Sequence, residues 1–324
     1  MGLFGRRRRE QPETGADRET DPELTFLTVA EAARFRAVVR EVLAGMGREV
    51  ELRPQSVVTD DGREWGLWNV AANAHGDERG PAGWPDVVRE HFEKTFRVVD
   101  ADLDALSDEE YLAALRMRLV DEQTTRALLG SFEHALPWAD GVVRLPTLDL
   151  PESVATPSGE ELRGRGDLAR LLDRAWANTA ALVATEDLER EHVEHEGHDI
   201  WCVLGDSFYT ASLALVLPDL VRRFEPAADL SGGVVLAVPH RHLLAYRVLD
   251  SPGAALGALL LLPRFAAGAY ADSPGPVSPH TYLWRDGEVT TLTSVEDGTL
   301  SVTPGPYLEE LLSALSAEDD GAPS

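Results

Sequence analysis

Four Asp-Gly dipeptides punctuate this chain, at 61–62, 140–141, 286–287 and 297–298. Asp-Gly accepts the positive φ angles of tight turns, so each marks a place where the chain can reverse and pair two strands antiparallel. The first lies between Glu51–Val58 and Arg63–Val70, and the third between Thr281–Arg285 and Glu288–Thr293. Both read as hairpins. The second introduces Val142–Leu150 as a strand. Further strands are expected at Glu191–Glu196, Ile200–Leu204, Gly233–Val238 and Leu243–Leu249.

Helical patterns fill the intervals. Thr28 with Glu31 and Ser107 with Glu110 form capping boxes, in which each pair satisfies two free helix N–H groups. After the first, Val29, Ala32, Phe35, Val39 and Leu43 recur at helical spacing until Gly45 and Gly47 stop the helix. Asp86–Phe96, Leu168–Val183 and Pro306–Leu315 are also helical in pattern. So are Tyr209–Phe224 and Ala254–Tyr270, with Pro218 and Pro263 expected to kink or end them. Helices and hairpins interleave without the regular alternation of a doubly wound sheet. This predicts an α+β fold with antiparallel or mixed sheets and packed helices. The expected organisation is a disordered tail over 1–23, an N-terminal α+β unit over 24–128, a larger α+β domain over 129–317 and an acidic frayed tail over 318–324. The polar stretch Glu152–Gly166 reads as a loop or linker.

Charge limits the partners. The 324 residues carry a formal net charge of −26, and outside residues 1–23 there remain 25 basic and 50 acidic residues, a net of −25. Such a surface repels nucleic acid and anionic lipid and suits a basic protein partner. The Arg6–Arg9 cluster is followed by the polar segment Glu10–Glu23 in place of the apolar stretch a secretion signal needs. The longest apolar run, Ala254–Leu262, is interrupted by Pro263 and Arg264, so no integral membrane association is expected and the setting reads as cytoplasmic. Cys202 is the single cysteine, within the apolar run Ile200–Leu204. This excludes an intramolecular disulfide and a thiolate cluster, and marks Cys202 as a core residue. The tryptophans Trp65, Trp68 and Trp84 read as core or inter-element contacts. No Walker loop, G-x-G-x-x-G, H-E-x-x-H or EF-hand pattern occurs, and no cofactor is implied.

Three constellations could carry chemistry. Val203-Leu-Gly-Asp-Ser-Phe208 runs a strand into Gly-Asp-Ser, placing Ser207 at a turn as a candidate nucleophile with His240, His242 or His280 as base. The motif is similar to the nucleophile block of the GDSL hydrolases. The chain departs from that pattern, because its asparagines (Asn69, Asn73 and Asn178) all precede the serine and no Asp-x-x-His closes it. The alternative is that Asp206 or Ser207 caps a helix beginning near Tyr209. Secondly, His192, His195 and His198 are spaced by three and could hold a metal. On a continuous strand His192 and His198 would share one face and His195 the other, whereas Gly197 predicts a hairpin edged by Glu191, Glu194 and Glu196. Thirdly, Pro239-His-Arg-His242 joins two strands and offers Arg241 to an anion, flanked by two imidazoles.

Leu148-Asp-Leu-Pro151, Gly205-Asp-Ser-Phe-Tyr-Thr-Ala-Ser212 and Val235-Leu-Ala-Val-Pro-His-Arg-His-Leu-Leu244 together resemble the uncharacterised bacterial domain-of-unknown-function family 1444. The similarity spans roughly residues 130–290. It implies an α+β cytoplasmic protein and no catalytic residue, and it favours Ser207 as part of a strand-end turn. The expected function is a non-enzymatic binding or accessory protein. The alternatives are a GDSL-like serine hydrolase through Ser207 and a metal-binding protein through His192, His195 and His198.

Overall fold

The computed structural model describes residues 19–59, 62–99, 103–123, 126, 134–151, 153–296 and 299–320. The fold is α+β, with every strand pair antiparallel among the described residues. The chain forms two compact units, residues 1–92 and 93–324.

In the first unit, α1 (Val29–Gly45) starts at the predicted Thr28/Glu31 box. A three-stranded sheet follows, made of β1 (Val50–Leu52), β2 (Ser56–Thr59) and β3 (Glu64–Gly66) in that order. The expected hairpin is therefore real but short, because residues beyond Gly66 turn into α2 (Trp68–His75). Then comes α3 (Trp84–Val99), which carries the chain across the boundary between the units. Phe35 packs edge-on against Trp84 at 5.8 Å, and Trp84 Nε1 donates to Ala74 O at 2.9 Å. Trp84 is core. Trp65 and Trp68 are only half-buried, with Trp68 edge-on to Phe26. Of the expected disordered tail, residues 1–18 lie outside the described residues. Asp21, by contrast, is folded in: it is 5% exposed and its carboxylate takes a two-pronged ion pair from Arg36. Leu24 and Leu27 are buried beside it.

The second unit begins its sheets with α4 (Asp108–Ala114), opened by the Ser107/Glu110 box and running directly into β4 (Leu115–Asp121). β4 pairs along its full length with β6 (Val142–Leu150), flanked by β5 (Leu136–Ala139) and β7 (Ser153–Ala155). That pairing draws residues before 128 into the second unit, which moves the division from the expected 128 to 92. The stretch expected as a linker instead holds β7 and α5 (Gly159–Arg165), the latter opened by a third capping box, Ser158 with Glu161.

Next come α6 (Leu168–Thr185), β8 (Glu189–His195) and β9 (His198–Leu204). The Tyr209–Phe224 segment is not one helix. A 3₁₀ turn, Ala211–Val216, precedes α7 (Leu217–Phe224), and Pro218 sits in the first turn of α7, where its missing N–H costs nothing. β10 (Val234–His240) and β11 (Leu243–Val248) follow. α8 (Pro252–Asp272) runs unbroken through Pro263, contrary to expectation. It is long and apolar enough to cross a membrane by length and composition, and one of its faces is buried on the sheet through Ala255, Ala258, Leu262 and Ala266. β12 (Thr281–Arg285), β13 (Glu288–Thr291), β14 (Thr293–Glu296), β15 (Thr299–Val302) and α9 (Gly305–Asp320) complete the unit. The expected frayed end is helical to Asp320, and residues 321–324 lie outside the described residues. The Asp-Gly at 297–298, between the paired β14 and β15, also lies outside them.

The centre of this unit is a six-stranded sheet in the order β13-β12-β10-β11-β9-β8. Its side chains alternate between two cores. Val203, Val234, Leu236, Val238, Leu244 and Tyr246 pack with Tyr209, Leu213, Leu217 and Leu220. Ile200, Cys202, Val235, Ala237 and Ala245 face α8 and α9. Cys202 is thus a core residue as expected, and burial pushes its thiol up to about 12.

Candidate functional site

The β10–β11 connection carries His240, Arg241 and His242, and the loop after β9 carries Gly205–Tyr209. Two main-chain bonds lock these segments together: Gly205 N–H to His242 O at 3.3 Å and Ala211 N–H to Arg241 O at 3.1 Å. The loop of Ser207 and the turn of His240, Arg241 and His242, two of the constellations singled out in the sequence, are thus brought together.

Within it, the hydrogen bonds fix the protonation pattern. Arg241 Nε donates to His242 Nε2 at 2.8 Å, so that nitrogen is an acceptor. The other, Nδ1, then carries the proton and donates to Gly205 O at 3.2 Å. His242 N–H in turn donates to His240 Nδ1 at 3.4 Å. Burial, the neighbouring His242 and Arg241 together pull His240 down to about 4. Burial likewise lowers His242. Both rings are neutral at physiological pH.

Ser207 Oγ accepts from Tyr209 N–H at 3.2 Å, and Thr210 Oγ1 donates back to Ser207 O at 3.1 Å. This is a serine turn closing the loop, not the cap of an α-helix, and Asp206 is exposed without a capping bond. The Ser207 hydroxyl also favours the charged form of Glu186, at the end of α6. Among the described residues no imidazole is hydrogen-bonded to Ser207 Oγ. His280 is elsewhere: its Nδ1 meets Thr293 Oγ1 at 3.2 Å, and it lines a shallow groove of about 510 Å³ with Asp121, Tyr270 and Ser278.

Two neighbours lie against the Arg241 side chain. Its guanidinium lies 4.5 Å from the Phe208 ring centre. Its stem lies against Gly275, at φ +71°, where a Cβ would come within 2.6 Å of Arg241 Cδ. Burial first, and then the charge of Arg118, pull Arg241 down to about 10, so it stays cationic.

Arg118 is a residue that the sequence reading missed. It lies on the same face of β4 as Arg116, two positions earlier. Arg116 approaches Asp149 at 3.9 Å. Thr147, opposite Arg116 on β6, bonds the buried Tyr209 hydroxyl at 2.9 Å. Burial raises both Asp149 and Glu186 from their ordinary values. The signal was present as Leu115-Arg-Met-Arg-Leu119, two arginines alternating with apolar residues on a strand.

The three histidines of β8–β9 do not converge. His195 and His198 are directly opposite across the Glu196-Gly197 turn and share a face, while His192 is on the other. The hairpin expected at Gly197 is thus in place, and it sets which histidines share a face. His192 stacks on Trp201 at 4.5 Å and contacts Asp199 at 3.1 Å. Among the described residues no group of three or more His, Cys, Asp or Glu is placed to hold a metal.

No family model matches the chain, no curated protein is similar to it, and no solved structure is similar to it.

Proposed function

We propose that this chain is a non-enzymatic binding protein whose site is the cluster around the β10–β11 turn. One observation carries the reading: both ring nitrogens of His242 are engaged, one by Arg241 and one by Gly205, while Ser207 closes its own turn. A serine nucleophile needs a free imidazole to take its proton, and His242 is already an acceptor for a guanidinium. What the cluster offers a ligand is donors, shape and charge. The three strings that resemble family 1444 fall on β6, the Gly205 loop and β10–β11, so membership of that family would place its shared residues at this site.

A fluorophosphonate probe tests the reading. The expected result is no covalent labelling of the native chain. Labelling that disappears in Ser207→Ala would refute it and restore the hydrolase. The net charge of −26 favours, as a second element of the proposal, a basic protein partner in a cytoplasmic setting. Salt-sensitive capture of a basic protein by the immobilised chain would support that element, and recovery of background alone at low salt would count against it.

A further inference from the structure

The six-stranded sheet ends on β8, which pairs with β9 and with no other strand among the described residues. One side of its backbone is therefore taken, and along the other every second residue turns its N–H and C=O outward. The pairing runs from Glu189 opposite Leu204 to His195 opposite His198 without a shift of register, so the edge is regular. A proline, a bulge or a lysine commonly blunts such an edge, and none occurs in the seven residues of β8. Glu189, Glu191, His192, Glu194 and His195 are exposed. Charge then sets the edge apart. Its arginine, Arg190, is engaged: the guanidinium lies 3.5 Å from the Trp201 ring centre and pairs with Glu225. On the neighbouring strand Asp199 is met by Arg247 at 3.5 Å and by His192 at 3.1 Å. Glu196, in the turn, has His195 at 3.8 Å. Glu189, Glu191 and Glu194 make no ion pair among the described residues. They stand on both faces of the strand, Glu189 and Glu191 on one and Glu194 on the other.

Deepening the basic-partner element of the proposed function and resting on it, we infer that the open edge of β8 is the docking site for a basic protein, an extended segment of which adds to the sheet as a further strand. Main-chain bonds to the outward N–H and C=O groups hold the segment, and its Lys or Arg side chains, alternating between the faces, meet Glu189 and Glu191 on one and Glu194 on the other. A segment of about eight residues matches the strand, which spans about 23 Å at about 3.3 Å per residue. The same carboxylates select against a second copy of the chain, since β8 carries three glutamates to one engaged arginine and the whole chain a net charge of −26.

Fluorescence anisotropy and hydrogen–deuterium exchange on the full chain, at low salt, test this with two labelled peptides of equal charge. One, Lys-Thr-Val-Lys-Val-Thr-Lys-Lys, can form a strand. In the other, Lys-Pro-Pro-Lys-Pro-Pro-Lys-Lys, prolines remove N–H groups from both edges and no ladder can form. The expected result is that the first peptide binds and slows amide exchange within residues 189–195, and that the second binds at least about tenfold more weakly and slows none of it. The double variant Glu191→Lys/Glu194→Lys should weaken the first peptide by about tenfold or more. Glu41→Lys/Glu49→Lys, an equal change of net charge at exposed positions of the first unit, should alter its binding by about twofold at most. Exchange protection of the wild type by the two peptides needs no variant, so it decides the matter should a variant fail to fold. Equal binding of both peptides, protection only outside 189–195, or equal weakening by the two double variants would overturn the inference and leave a partner held by charge alone. Absence of binding by either peptide would remove the β8 edge, while capture of a basic protein by the immobilised chain decides the basic-partner reading separately. A free chain that sediments as a dimer, broken by Glu191→Lys/Glu194→Lys, would give the edge to a second copy and overturn the inference as well.

Discussion

Gly275 and Gly141 provide a matched pair. Both have the same left-handed backbone, φ +71° and φ +72°. Alanine in that region costs about 1–2 kcal/mol relative to glycine at either position. The surroundings differ. A Cβ at Gly141 meets nothing within 4 Å. A Cβ at Gly275 would lie 2.6 Å from Arg241 Cδ and 2.9 Å from both Cγ and Nε. Ordinary contact begins near 3.4 Å, so the arginine stem must retreat by most of an ångström. The Phe208 ring lies against its guanidinium at 4.5 Å, and the Nε bond to His242 fixes its direction. Overpacking of this kind costs about 1–3 kcal/mol. Gly275→Ala should therefore lose about 2–4 kcal/mol in total and Gly141→Ala about 1–2 kcal/mol. Urea unfolding followed by circular dichroism, with slopes compared to confirm the same transition, measures the difference. Equal losses at the two glycines would show that Arg241 is free to move, and the clamped arginine would have to be abandoned.

Gly232→Ala should be more damaging still, by about 3 kcal/mol or more, because its Cβ would fall 2.1 Å from the main-chain Leu249 O, next to the Leu249 N–H bond to Gly233 O; chemical denaturation reads this directly. Tyr209→Phe should cost only about 1 kcal/mol by the same assay, since Thr147 Oγ1 keeps its second bond, to Arg116 O at 3.3 Å. In the first unit, the Arg36 guanidinium and two main-chain N–H groups hold Asp21 down to about 2, below the ordinary aspartate value near 4. The stability it contributes is complete above the unfolded value and is lost as pH falls through the folded one. Asp21→Asn should therefore lower stability at neutral pH and flatten the loss between about pH 4 and 2. Cys202, buried and with its thiol pushed up to about 12, should resist a thiol reagent such as iodoacetamide in the native state and react at once in denaturant.

The sequence revealed most where local chemistry decides the outcome. Thr28/Glu31, Ser107/Glu110 and the Asp-Gly turns at 140–141 and 286–287 act over a few residues, and the corresponding helix starts and hairpins are in place. It revealed least where distant segments decide. Nothing near Leu115 announces that β4 will pair with β6 along its whole length, and that pairing draws residues before 128 into the second unit. The same is true of the site. Arg241, His242 and Ser207 could be singled out because they sit in dense polar strings. Arg118 was visible only as one of two arginines alternating with apolar residues in Leu115–Leu119, and where that strand pairs is decided by a segment remote in sequence. For His192, His195 and His198 the hairpin expected at Gly197 is in place, and the pairing across it is what puts His195 and His198 on one face and His192 on the other.

The proton on His242 tests the central claim most directly. Long-range ¹H–¹⁵N correlation on the full chain identifies which ring nitrogen carries it. The expected spectrum shows a neutral ring protonated at Nδ1, with Nε2 an acceptor for Arg241 and no titration through the physiological range. A ring protonated at Nε2, or one whose Nε2 couples to the Ser207 hydroxyl, would contradict the binding-site reading and return Ser207 to the role of nucleophile.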